Sequence, residues 1–491
     1  MASVLEVHWK QLFILLIAFA VIGAVIYQPG IQGKYFADDY KFFFSPAPSN
    51  PFHFFVNKNP NSSYAYRPIE ATFLLFVQTN FGMQTWPIHA AQLALHIFIS
   101  WLVFVWMRRN GFGSQAAILG SLFMLVSQAN VSAVAGNDTF SQVASTLFGS
   151  ACMWLFQSYL QRKEVRWLVL SSFSFLLALL SKENGIAYFL PVALMAWYAN
   201  DLAFGARMKQ NIVKLLPFLV AIVLFFALRS VVQVVGVSTE GGKYGIQLGL
   251  GSAKNVAMFL LAAMSPASTV DIFITLQESN FARLAILVGA ILVFVVLVLV
   301  GLWSSDRRSP ALVLGLFGLL ILLPMALFKH VSELYVYNSM PLFAVPVGVG
   351  LGHLLHRTTR KKVVAFGLAF LLLLISAAQV SAVRTKTRLM AENGERSDVL
   401  LGQIVPLTKN IPPKGELALV NPDSMGIEYS VFLTQGFNVL QSGEHQIRVL
   451  AGRKDFGIRI LTQSEFERRT ERQSVLTLRL AEDGQTVLPQ P

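Results

Sequence analysis

The chain has 491 residues, of which 54% are apolar and only 13% are Asp, Glu, Lys or Arg, with a formal net charge of +13. Apolar runs as long as the ~17–25 residues that a bilayer span needs recur from Leu12 to Val380, which excludes a soluble globular protein. The single cysteine, Cys152, excludes an intrachain disulfide framework and a cysteine-based metal centre.

The first apolar segment, Leu12 to Tyr27, lacks a small-x-small cleavage pattern and reads as a retained helix rather than a signal peptide. Helices are predicted at about 11–27, 88–107, 115–131, 140–160, 166–181, 184–200, 211–231, 282–303, 310–328, 340–356 and 363–382, eleven in all. The chain is thus a polytopic α-helical membrane protein. With these spans, Lys10, Arg108, Arg109, Arg162, Lys163, Arg166, Arg207, Lys209, Lys214, Arg307, Arg308, Arg357, Arg360, Lys361 and Lys362 fall on one side. That side is cytoplasmic by the positive-inside rule, with the N-terminus inside and the C-terminus outside, and the basic charge needs no nucleic acid. The apolar stretch 254–275 is broken at Ser265-Pro266, and counting it as a span would move Arg307 and Arg308 outside. It reads as re-entrant or surface-lying.

The first outer loop, about 28–87, is rich in rings: Phe42, Phe43, Phe44, Phe52, Phe54, Phe55, Tyr64 and Tyr66. Short helices lying in the membrane interface are predicted there. After Val383 the composition turns polar, with strand-like runs at 417–420, 437–440 and 475–480 and a turn at Asp483-Gly484. Two domains are expected: a membrane domain, 1–383, and a small α/β or α+β outer domain, 384–491, placed to bind an acceptor or to cover the site.

Sorting the polar residues by side puts Asp38, Asp39, Arg67, Asp138, Lys182, Glu183, Arg229, Lys243, His330, Glu333, Tyr335 and Tyr337 at outer helix ends and loops. Carboxylates supply a general base, and Arg and Lys supply cations for a phosphate. That set, beside a bilayer, suits sugar transfer from a polyprenyl-phosphate. A base removes the acceptor proton, and cations stabilise the departing lipid phosphate.

Five segments then carry a resemblance. Tyr35-Phe36-Ala37-Asp38-Asp39-Tyr40 resembles the acidic motif of GT-C membrane glycosyltransferases. Tyr66-Arg67-Pro68, Trp86-Pro87-Ile88-His89 with His96, Leu180-Ser181-Lys182-Glu183-Asn184-Gly185-Ile186, and Ser332-Glu333-Leu334-Tyr335-Val336-Tyr337 are similar, in order, to segments of transmembrane protein O-mannosyltransferases of the TPR-containing group. Gln128-Ala129-Asn130 stands where that group often has His-Pro, Leu334 stands where it has Arg, and no TPR array follows.

The resemblance implies a GT-C fold and an inverting glycosyltransferase. It assigns Asp38 as general base, with Asp39 supporting it. Arg67, Arg229 and Lys182 are expected at the donor phosphate; Glu183, Glu333, Tyr335, Tyr337 and His89 are expected to line the substrate cavity. Asp138 is the one candidate for a divalent metal, against a helix N-cap, and His89 and His96 read as packing histidines rather than ligands. The expected partners are a polyprenyl-phosphate sugar, possessing mannose or another sugar, and a hydroxyl acceptor on protein, glycan or lipid, in a bacterial-type inner membrane. Two alternatives stay open: a transporter or flippase of lipid-linked sugars, and a polysaccharide polymerase or ligase.

Overall fold

A computed structural model describes residues 9–42, 47–59, 65–199, 204–234, 245–358, 362–425, 431–440, 444–469 and 475–490. Of the residues singled out above, Phe43, Phe44, Tyr64, Lys243, Arg360 and Lys361 lie outside them.

The described chain is mainly helical. Its principal helices are α1 (Trp9–Tyr27), α2 (Pro68–Phe81), α3 (Trp86–Arg109), α4 (Ser114–Val126), α5 (Phe140–Arg162), α6 (Val165–Ser181), α7 (Phe189–Tyr198), α8 (Phe204–Val231), α9 (Leu250–Met264), α10 (Thr269–Gln277), α11 (Phe281–Trp303), α12 (Arg308–Ala326), α13 (Met340–Thr358) and α14 (Lys362–Leu407). Among the described residues, seven helices are long and apolar enough to cross a membrane, or nine if two bent pairs each count as one span. The predicted eleven is larger for local reasons. Helix α5 is long, but Ser141, Gln142, Ser145 and Thr146 make its buried face polar. Residues 184–200 form a 3-10 turn, Glu183–Tyr188, followed by the ten-residue α7.

Small residues let the helices approach. Gly348 and Gly352 of α13 lie against the backbone of α4, where a Cβ at Gly352 would stand 2.8 Å from Ala116 Cα. Without water to drive burial inside a bilayer, such close van der Waals contact holds helices together. The predicted break at Ser265-Pro266 is a sharp turn: α9 and α10 are bent by 119° into a hairpin.

In the first loop the chain forms short helices, as the sequence suggested: a 3-10 turn at Ala37–Phe42, one helical turn at His53–Val56, and then α2. Helix α14 is the largest departure from expectation. Its 46 residues rise about 69 Å at ~1.5 Å each, more than twice a ~30 Å hydrocarbon core. It therefore runs straight through the expected division at 383/384. The buried residues of its second half, Lys386, Met390, Asn393, Ser397, Leu400, Leu401 and Ile404, recur at the spacing of one helical face.

That face carries the C-terminal sheet. Strands β1 (Glu416–Asn421), β2 (Gly457–Thr462), β3 (Val475–Leu480) and β4 (Val487–Gln490) are ordered β2-β1-β3-β4, with β1 parallel to β2 and β3 and with β4 antiparallel to β3. The run 437–440, expected as a strand, is a 3-10 turn, Gly436–Leu440. Gly436 is left-handed (φ 54°), and Asn421 Oδ1 accepts from Phe437 N at 2.8 Å, which fixes the chain in a turn. The sheet does not form a separate core. Leu417, Leu419, Phe437 and Leu478 share one apolar cluster with Leu400 and Ile404 of α14 and with Tyr35, Tyr40, Leu74 and Ile88. The C-terminal unit is thereby packed on the segment that holds Asp38 and Asp39.

Candidate active site

Asp38 and Asp39 lie in the 3-10 turn Ala37–Phe42. Ala37 opens it with a left-handed φ of 50°, which is uncommon for a residue with a Cβ. Tyr35, Phe36 and Ala37 are buried and hold it there. Asp39 Oδ2 turns back to accept from Phe36 N at 2.9 Å and from Asn137 Nδ2 at 2.8 Å. Asn137 also donates to the Lys34 carbonyl at 3.3 Å. Asp38, half-buried, is the more accessible of the pair, whereas Asp39 is 7% exposed. Burial, and then the neighbouring Asp138 carboxylate, push the Asp39 carboxyl well above its ordinary range.

The loop 136–139 brings Asp138 to this turn. Gln92 of α3 ties that loop down by donating to Gly136 O at 2.8 Å, Thr139 Oγ1 at 2.9 Å and Ala133 O at 3.2 Å. The N-cap of α5 is Thr139, so Asp138 is not the cap. Among the described residues no three His, Cys, Asp or Glu side chains converge to hold a metal ion.

A second group adjoins it. Arg67 is the N-cap residue of α2, with Pro68 pre-setting the first turn. Its Nε donates to Glu183 Oε2 at 3.0 Å, and its Nη1 lies 3.7 Å from Glu70 Oε2. Glu183 Oε1 accepts from Tyr66 N at 3.1 Å. Glu70, absent from the candidates above, is fully buried and accepts from Ser141 N at 2.8 Å. Burial pushes its carboxyl up to about 7 against the pull of Arg67. Lys182 is 5% exposed and lies within electrostatic range of Arg67, Glu70, Glu183 and Asp138. No hydrogen bond or ion pair of its ammonium occurs among the described residues. A shallow cleft opens beside Arg67, lined also by Phe54, Asn59, Tyr66 and Val232. Arg229 stands one turn beyond Phe225, whose ring meets that of Tyr66 at 5.6 Å.

The remaining candidates are placed differently. His89 Nε2 donates to the Gly33 carbonyl at 3.2 Å, so it braces the chain leading into the acidic turn. His96 is fully buried between Tyr337 Oη at 2.9 Å and the Leu125 carbonyl at 3.1 Å. Tyr337 is itself fully buried. Tyr335 is half-buried, with the rings of His330 and Phe259 edge-on to it. Glu333 meets Lys386, with Glu333 Oε2 2.7 Å from Lys386 Nζ. Sequence reasoning missed Lys386, which lies in the stretch read as the outer domain. Its signal was the helical spacing of apolar and small residues after Val383.

The comparisons agree with this architecture. The family model described as dolichyl-phosphate-mannose-protein mannosyltransferase matches residues 67–233. The chain superposes on the crystal structure of ArnT from Cupriavidus metallidurans bound to undecaprenyl phosphate with a TM-score of 0.51 and 13% identity, covering 95% of this chain and 93% of that one. The apo structure of the same protein gives 0.52 and 14%, with the same coverage. The archaeal oligosaccharyltransferase AglB from Archaeoglobus fulgidus is similar at 11% identity and a TM-score of 0.46, over 90% of this chain and 64% of that one. No curated protein sequence matches. The chain shares the fold of the ArnT structures, and its residues 67–233 are similar to the dolichyl-phosphate-mannose-protein mannosyltransferase family.

Proposed function

We propose that this protein takes a sugar from a polyprenyl-phosphate carrier and passes it, with inversion, to a hydroxyl acceptor on the outer face of the membrane. The observation that carries the reading is the meeting of the acidic turn, Asp38-Asp39, with the cationic group around Lys182 through Asp138. Asp38, the more accessible carboxylate, is the base that takes the acceptor proton as the hydroxyl attacks the anomeric carbon. Asp39 and Asn137 hold the turn. Lys182, whose ammonium makes no hydrogen bond or ion pair among the described residues, takes the departing lipid phosphate, and phosphate needs no acid to leave. Arg67 is neutralised by two carboxylates, so its part is to fix Glu183 and the 182–183 loop beside the phosphate, with Arg229 at the rim. The neighbour crystallised with undecaprenyl phosphate supports a lipid-phosphate donor.

Protein hydroxyls are favoured by the mannosyltransferase family segment. The test is transfer by the purified protein in nanodiscs, given polyprenyl-phosphate mannose and other polyprenyl-phosphate sugars with peptide or glycan acceptors. Glycosylated acceptor and free polyprenyl-phosphate in equal amounts support the reading. Movement of intact carrier across the bilayer without cleavage would sink it in favour of a flippase.

A further inference from the structure

Lys386 is fully buried, four residues past the predicted end of the last span, and the catalytic reading does not use it. A buried ammonium is costly unless paired and hydrogen-bonded. Lys386 Nζ donates to Glu333 Oε2 at 2.7 Å, to Thr269 Oγ1 at 2.9 Å and to Gln128 Oε1, and it lies 5.0 Å over the Phe432 ring. Those partners come from four separate places: the 333–339 turn, the tip of the α9–α10 hairpin, the loop after α4, and the chain following β1. Thr269 and Glu333 are also hydrogen-bonded to each other. Gln128 in turn donates to the Ala262 carbonyl of α9 at 2.9 Å, and Gln379 of α14 donates to the Ser265 carbonyl at 3.0 Å. The hairpin's other face is apolar and exposed: Leu250, Leu261, Phe273 and Leu276 are each at least 40% accessible. In a membrane, that face meets lipid.

We propose that Lys386 is a positioning residue that latches the α9–α10 hairpin and the Glu333 turn onto α14, closing the lipid-facing wall of the site. Without the ammonium, the Glu333 carboxylate and the Thr269 hydroxyl lose their common partner, and the hairpin keeps Gln128 and Gln379 together with Asn255, which donates to the Ala326 and Phe328 carbonyls at the far end of α9. The latch is independent of the function proposed above.

The test uses the full chain in nanodiscs with a reporter thiol at the hairpin turn. Ser268 is 1% exposed, and the single native thiol, Cys152, is fully buried. Ser268→Cys should therefore react slowly with a maleimide. Adding Lys386→Met should raise the labelling rate at least tenfold, while Lys386→Arg should keep it within about threefold of the parent. If Lys386→Met does not fold, the double variant Lys386→Met/Glu333→Met, which orphans no ion, gives the same readout. A labelling rate unchanged in the folded variant overturns the latch. Where donor transfer is also measured, a latched wall predicts a larger rise in donor KM than fall in kcat. Faster labelling with no transfer in any variant would leave the latch standing and count against the proposed function alone.

Discussion

Asn137 donates its side-chain amide to Asp39 at 2.8 Å and to the Lys34 carbonyl at 3.3 Å. One side chain thus joins the loop before α5 to the acidic turn, and it opposes the burial and the Asp138 charge that raise the Asp39 carboxyl.

A pH dependence follows. Because the folded-state pKa of Asp39 is raised, the folded protein binds more protons than the unfolded chain between the ordinary carboxylate value, ~4, and the folded value. The stability due to this group is then complete below that window and is lost as pH rises through it. Asp39 should contribute a fall in melting temperature with rising pH across the acidic range, and Asp39→Asn should remove that component of the wild-type profile. In Asn137→Leu the carboxylate loses a donor, so the decline should extend to higher pH.

Arg67 joins two acids of different exposure, Glu183 and the fully buried Glu70. Arg67→Met should cost about 1.5–3 kcal/mol, as for a lost charge-assisted hydrogen bond, and should push Glu70 higher still. Arg67→Lys should not rescue it, since a point charge cannot reproduce the guanidinium fork. Chemical denaturation of the two variants checks both statements.

Two glycines of α14 make a matched pair. A Cβ at Gly394 would stand 2.8 Å from Lys34 N, with the Lys34 carbonyl closer still, whereas Gly402 has open space around it. Gly394→Ala should therefore cost about 1–3 kcal/mol by overpacking and should displace the irregular segment leading to Asp38. Gly402→Ala should be stabilising by about 0.8–1 kcal/mol through helix propensity. Thermal unfolding read beside transfer activity separates the two.

The apolar helices of the membrane region were legible because apolar run length is a local signal. The 384–491 division was harder to read. Polarity rises after Val383, but Lys386, Met390, Ser397 and Ile404 keep helical spacing, so composition and periodicity conflict there and α14 continues. The 437–440 run has strand-like composition, yet Gly436 and the Asn421 side chain turn it. Lys386 was missed because its role depends on Glu333 and Thr269, which lie far away in sequence and meet it only through the fold, whereas Glu70 stands three residues from Arg67 and only its burial and its bond to Ser141 needed the fold.

Lys182 should report on the donor. Lys182→Met removes the cation of the group whose ammonium makes no hydrogen bond or ion pair among the described residues. Its effect should be a roughly 10–100-fold rise in donor KM, the size of one lost charge-assisted contact, with little change in acceptor KM. Steady-state kinetics with each substrate varied in turn checks this.

The most direct measurement is the rate of sugar transfer by Asp38→Asn in nanodiscs under saturating donor and acceptor. The substitution keeps the size of a half-buried side chain and removes its charge and basicity, so the protein should still fold while kcat falls roughly 10²–10⁴-fold. Transfer at the wild-type rate by a fully folded Asp38→Asn variant would contradict the account.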